Sequence, residues 1–186
     1  MTRKARGKRP EGGSGCDNLA VDVTFAGGTL ASVNGPNEDG MTMLEKPLVN
    51  EFSHVKPGET PWRSDGLRDF FLYRDLGVAD ATGGRVIAQL VKANEAPEKG
   101  TGWHRHQAEF HIVFMTKGWA KFMYENEEHT VSAGDCVHQR PGIQHYLFDY
   151  SPDMEYLEVV GPADFGTVDL ETGPAPVPAA VPWEKV

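Results

Sequence analysis

Four of the chain's seven histidines, His104, His106, His111 and His145, stand at spacings that suit one metal ion. Side chains two apart on a β-strand share a face, so His104 and His106 point the same way. One strand cannot complete a metal site alone. Further ligands must come from neighbouring strands, and His111 and His145 are placed to supply them. A buried imidazole needs partners for both ring nitrogens, and four converging inside an apolar shell are hard to satisfy without a cation. Neutral imidazole binds most divalent transition metals well. The expected cofactor is therefore one such ion, with Fe, Zn, Ni, Mn, Co and Cu all open.

The pattern around these histidines is one of short apolar runs separated by turn signals. Strands are expected over Asp69–Arg74, Arg85–Ala93, Trp103–His106, Glu109–Met115, Trp119–Tyr124, Glu127–Val131, Cys136–Gln139, His145–Tyr150 and Glu155–Val160. Many short strands at regular spacing, with no convincing helix, point to an all-β sandwich or barrel. Leu76–Gly84 reads as a turn-rich loop, and Pro162–Asp169 as room for a helical turn. Gly118 is expected to close the Lys117–Trp119 hairpin, because glycine accepts left-handed backbone at little steric cost.

Four segments follow. Residues 1–43 read as a disordered or non-native N-terminal extension, since nothing periodic develops between its glycine-rich breaks. Within it, Leu19–Phe25 alternates enough for one strand, and Met41 or Met43 is an alternative natural start. Residues 44–68 form an extended approach, in which Pro47, Pro57 and Pro61 block helix. The barrel occupies 69–165. Residues 166–186 form a tail whose Pro174, Pro176, Pro178 and Pro182 favour an extended run.

Net charge and composition narrow the function. The formal net charge is −9. Five basic residues fall in the first nine positions, which leaves 13 basic against 27 acidic residues, or −14, for the remainder. An acidic body argues against nucleic acid as a partner. No apolar run approaches the ~20 residues that span a bilayer, and no signal peptide opens the chain, so no membrane is expected. Cys16 and Cys136 make no disulfide framework, and a reducing, cytoplasmic setting is the simplest expectation.

The histidine region resembles the two motifs of the cupin superfamily, the small jelly-roll β-barrels. The first motif runs His104-x-His106, four residues, His111, six residues, Gly118; His111 stands where most cupins carry Glu, and Glu98 where they carry the leading Gly. The second is met by Gly134, Gly142 and His145, with Arg140 at the Pro position beside Pro141 and Asp149 in place of Asn. The resemblance spans roughly Asp69 to Asp164. It implies a jelly-roll (double-stranded β-helix) barrel and a single metal held by His104, His106, His111 and His145. It also implies pairing through the outer sheet, so a homodimer is expected, and the Leu44–Gly66 approach suits such an exchange.

What the resemblance implies about activity is broader. Many single-domain cupins with three or four histidines are dioxygenases of diketones, phenols or thiols. A site of neutral ligands keeps the metal's full charge and favours a small anionic chelating substrate. The leading expectation is a mononuclear non-heme metal enzyme, dioxygenase-like, acting on a small organic compound. The alternatives are a non-catalytic metal-dependent binding or sensing module, and a metal-dependent isomerase or hydrolase. No catalytic residue is assigned. Glu109 shares parity with His111 and is either an acceptor for an imidazole N–H or a rim carboxylate. His138 either faces the cavity or the solvent. Asp149 shares a face with His145 and either lines the pocket or caps the strand end. No arginine pair is evident for gripping a carboxylate, since Arg105 points away from its flanking histidines and Arg140 ends a strand.

Overall fold

A computed structural model describes residues 48–98 and 100–183. They belong to the compact unit Glu45–Val186; the other unit, Met1–Leu44, lies outside the described residues, as does the strand expected over Leu19–Phe25. The strands, in order, are β1 (Phe71–Asp75), β2 (Ile87–Ala93), β3 (His104–Gln107), β4 (Phe110–Lys117), β5 (Trp119–Tyr124), β6 (Glu127–Ser132), β7 (Cys136–Gln139), β8 (His145–Tyr150), β9 (Glu155–Gly161) and β10 (Gly166–Asp169). A single turn of helix, α1 (Val78–Ala81), interrupts the loop between β1 and β2. The expected all-β jelly roll is what forms.

The strands make two five-stranded antiparallel sheets, ordered β1-β2-β9-β4-β7 and β10-β3-β8-β5-β6. Strict alternation builds them. In β3 buried and exposed residues alternate one by one, and β4 does the same through Met115. The inward faces meet in one core: Phe71, Val91, Val113, Met115 and Tyr156 from the first sheet pack on Ala120, Phe122, Val131, Leu147 and Tyr150 from the second. At roughly 1.5–3 kcal/mol for each large apolar side chain fully buried, this layer is the main source of stability.

Two expectations are corrected. Pro162–Asp169 holds no helical turn. Gly166–Asp169 instead pairs with β3, setting Thr167 opposite His106 and Asp169 opposite His104, so the chain finds its hydrogen bonds on a free sheet edge. The C-terminal stretch is also more than a solvated tail. Leu170, Ala175 and Val177 cover Trp103, Met123 and Phe148 on the outer face of the second sheet, and Trp183 donates to the Tyr150 carbonyl at 3.1 Å.

Gly118 has φ +61°, as the β4–β5 turn requires, and a Cβ there would fall 2.1 Å from Ser151 Oγ and 3.0 Å from Met154 N. Gly142 has φ +72° with no atom within 4 Å of such a Cβ. Gly142→Ala should therefore cost only the left-handed backbone penalty, about 1–2 kcal/mol. Gly118→Ala should cost visibly more, because Met154 N is backbone and cannot swing away. Urea unfolding of the two variants checks this, and equal losses would mean the close approach at Gly118 is relieved at no cost.

Candidate metal centre

The site begins with a register. His104 on β3 lies directly opposite His145 on β8. Alternation then turns His106 to the same inward face. Their rings lie close and tilted to one another, with centroids 4.2 Å apart for His104 and His145 and 4.9 Å from His106 to each. The three residues are buried, and each offers a nitrogen within 4.8 Å of the other two. A cation about 2.1 Å from each nitrogen is reachable by small side-chain shifts.

Hydrogen bonds orient the rings. His104 Nδ1 donates to the Gly102 carbonyl at 2.8 Å, and His145 Nδ1 donates to the Ile143 carbonyl at 3.0 Å. A carbonyl only accepts, so the proton of each neutral ring sits on Nδ1 and the lone pair on Nε2. His106 Nδ1 meets Thr167 Oγ1 at 2.9 Å, a hydroxyl that suits the same tautomer. Backbone carbonyls and hydroxyls in this position are the usual way a ligating imidazole is held.

The cluster is neutral. Burial first, then the neighbouring His111 and His104, pushes the His106 pKa down to about 3. Burial likewise lowers His145 well below the ordinary value, with His104 adding to it. It lowers His104 too, where the Gly102 carbonyl pulls the other way and the Arg68 charge adds to the depression. Neutral imidazoles bind a metal without first releasing a proton. The donor set fits a divalent transition metal: three nitrogen donors, no thiolate and no carboxylate among them.

His111 comes from the facing sheet, on β4. Its ring lies 5.1 Å from that of His106, but it is not one of the three-membered group. Its Nε2 donates to Glu158 Oε1 at 2.8 Å, while its Nδ1 is buried without a hydrogen-bond partner. Glu158 on β9 also accepts from Gln89 Nε2 at 2.6 Å. Burial alone would raise the Glu158 carboxyl; the bonds from His111 and Gln89 outweigh it and hold the pKa below the usual range.

The other expected pocket residues are elsewhere. Glu109 is exposed, because β4 starts only at Phe110 and the strand parity shared with His111 does not reach back into the turn. His138 is exposed on the outer face, opposite Ile112; its neighbour Gln139 takes the inward place opposite His111. Asp149 is buried, but off the cavity. A bulge sets Phe122 opposite Leu147 and Lys121 opposite Asp149, so Phe148 is the extra residue and Asp149 turns outward to pair with Lys121 Nζ at 3.3 Å.

Around the histidines lies a cavity of about 60 Å³. Among the described residues Glu158 is the one acid that lines it and Arg68 the one residue of permanent positive charge; Phe165 meets His106 edge to face with centroids 5.1 Å apart. None of these three was predicted. Glu158 could have been suspected as a lone carboxylate within an apolar strand, but Glu155 marks the opposite face equally, so periodicity could not choose. Arg68 stands in the approach segment, where no pattern exists.

Residues 93–160 match the family model described as the cupin domain. The barrel is a cupin domain. Comparison with curated proteins gives no match. Among solved structures, the cupin barrel is similar to the polyketide cyclase RemF from Streptomyces resistomycificus, with a TM-score of 0.52 at 14% identity over 66% of this chain and 89% of that one. It is also similar to KdgF from Halomonas sp., with a TM-score of 0.49 at 18% identity over 59% and 94%. At 14% identity the RemF likeness is one of fold.

The neutral cluster has a pH signature. The folded pKa of His106, about 3, lies below its ordinary 6.5, so the unfolded chain binds the proton first. Stability should be full above about pH 6.5 and fall as pH drops towards 3. His104 and His145 shift the same way. Metal-free protein should lose urea resistance already between pH 6.5 and 5.5, before ordinary carboxylates titrate. The His106→Gln variant should show a shallower slope in that window; an unchanged slope would mean the buried imidazoles do not set it.

Proposed function

We propose that the protein is a mononuclear metal-dependent enzyme of the dioxygenase kind, acting on a small oxygen-chelating anion. The observation that carries this is the convergence of three buried imidazoles, each with Nδ1 engaged and Nε2 left to bind. His104, His106 and His145 would hold the cation. When bound, it supplies Lewis acidity towards a substrate oxygen and, where it is iron, one-electron chemistry towards O2.

The chain's own residues supply the rest. The uncharged ligand set leaves the metal's charge to be met by the substrate. Glu158 holds His111 by Nε2–H, which aims the basic Nδ1 away from the carboxylate. His111 Nδ1 is then the atom that takes a proton from an acidic carbon or hydroxyl of a bound substrate. Glu158 stabilises the imidazolium that forms. Phe165 packs edge to face on His106 at the cavity. Its volume, about 60 Å³, is far below the roughly 300–1,000 Å³ of pockets for drug-sized ligands. That favours short dicarbonyl compounds over the aromatic members of the expected substrate classes.

A homodimer in the cytoplasm remains the accompanying reading. Exposed Leu48 and Phe52 in the approach segment favour an exchange between copies. Among the described residues no helix is long and apolar enough to cross a membrane.

Metal analysis and oxygen uptake test the reading. His104→Ala and His145→Ala should each lose most of the bound metal. His111→Gln should keep it yet lose at least about a hundredfold in turnover, the ordinary weight of a general base. Metal loss in His111→Gln equal to that in His104→Ala would make His111 a fourth ligand instead. With Fe(II), uptake should follow addition of a short diketone or 2-oxo acid. No uptake across such a panel, with zinc or nickel held tightly, would replace the oxygenase by a binding module or a non-redox isomerase or hydrolase.

A further inference from the structure

Arg68 has no place in the metal reading, yet it lines the same cavity as the histidines. It precedes β1, and its backbone N–H donates to Tyr73 OH at 3.0 Å, which anchors the residue at the cavity rather than in solvent. Only 18% of its side chain is exposed. One terminal nitrogen, Nη2, meets Asp169 Oδ1 on β10 at 2.8 Å, and the other has a long 3.4 Å bond to the Leu67 carbonyl. The remaining nitrogen, Nε, is buried with no hydrogen-bond partner.

An unpaired N–H on a buried cation is costly, and guanidinium forks suit carboxylates better than any other common group. The acid nearest at hand does not use it: Asp169 is exposed and engages Nη2 alone. Glu158, the acid that lines the cavity, is already held by His111 and Gln89. The cavity is therefore lined by a guanidinium that is only partly engaged, its Nη1 holding just a 3.4 Å bond, beside three neutral imidazoles suited to a metal. Its small volume leaves room for only a few heavy atoms between the two.

We infer that Arg68 is the substrate-binding residue for a carboxylate, and that the substrate class is a short 2-oxo or 2-hydroxy carboxylic acid. The carboxylate pairs with the guanidinium of Arg68, and the substrate's oxygen donors reach the metal. This rests on the metal reading above. The Arg68–Asp169 pair orients the guanidinium by holding its far nitrogen to β10. It also joins the approach segment to the strand that covers His106.

The test uses full-length protein loaded with Co(II), whose visible absorption reports changes at the metal. Pyruvate is titrated against pyruvamide, its uncharged isostere. Wild type should bind pyruvate at least tenfold more tightly than pyruvamide. Arg68→Met should bring pyruvate down to the pyruvamide level and leave the unliganded cobalt spectrum unchanged, and Arg68→Lys should recover part of the loss. Asp169→Ala keeps the guanidinium and removes only the tie to β10, so it should retain the preference for pyruvate. If Arg68 merely braced β10, Asp169→Ala would lose pyruvate binding as Arg68→Met does, and the inference falls. Equal binding of pyruvate by wild type and Arg68→Met also overturns it while the metal reading stands. A wild type that takes up no cobalt overturns both.

Discussion

The direct pairing of His104 with His145 across β3 and β8 is the constraint from which the site follows. Residues opposite one another in an antiparallel ladder hold their side chains on the same face and about 5 Å apart. The ladder therefore forces two imidazoles together inside the barrel. His106 joins them by strand parity, with no further choice to make. The protein must then keep all three rings uncharged, and burial does so by depressing their pKa values. A sheet that buries polar rings at its centre gives up apolar area it would otherwise gain. The apolar layer beyond the histidines, from Phe71 and Val91 to Leu147 and Tyr150, offsets that loss.

The second sheet carries the three converging rings and the first carries the hydrogen-bonded pair His111 and Glu158. His111 on β4 and Glu158 on β9 are neighbours in the first sheet, where His111 pairs with Val160. Their hydrogen bond crosses between strands of one sheet and so fixes the His111 ring independently of the cluster opposite. This division explains why a histidine at the usual glutamate position does not crowd the other three. Its Nε2 is drawn back to Glu158, and only Nδ1 remains. Replacing the familiar carboxylate by histidine thus moves the carboxylate one step outward, to Glu158.

The strands and the three-histidine cluster were legible in the sequence because both depend on alternation and spacing, which local residues carry. Cys136–Gln139 and His145–Tyr150 form over the expected residues, and His104-x-His106 could only face one way on a strand. What escaped depends on events between strands. The bulge at Phe148 reverses Asp149, and nothing in His145–Tyr150 alone announces it. Likewise β10 forms because β3 has a free edge, not because Gly166–Asp169 has strong strand character. For Glu109 and His138 the sequence leaves pocket and solvent both open, and the fold places both residues on the exposed side. Glu158, Arg68 and Phe165 reach the cavity from segments that carry no motif, so only the assembled fold could single them out.

The balance of charge in the cavity makes the strongest case for an anionic ligand. Glu158 is the lining carboxylate, and its two oxygens are taken by His111 and Gln89. Asp169 lies outside and draws on one nitrogen of Arg68. A divalent ion held by three uncharged imidazoles would add two positive charges to that of Arg68 within a space of about 60 Å³. Charges so close in a medium poorer than water repel strongly. Protonation of the histidines would only add positive charge, and the same burial opposes it. Relief must come from something that enters. A neutral ligand would leave the repulsion in place; an acid with a second oxygen donor would remove it at both ends.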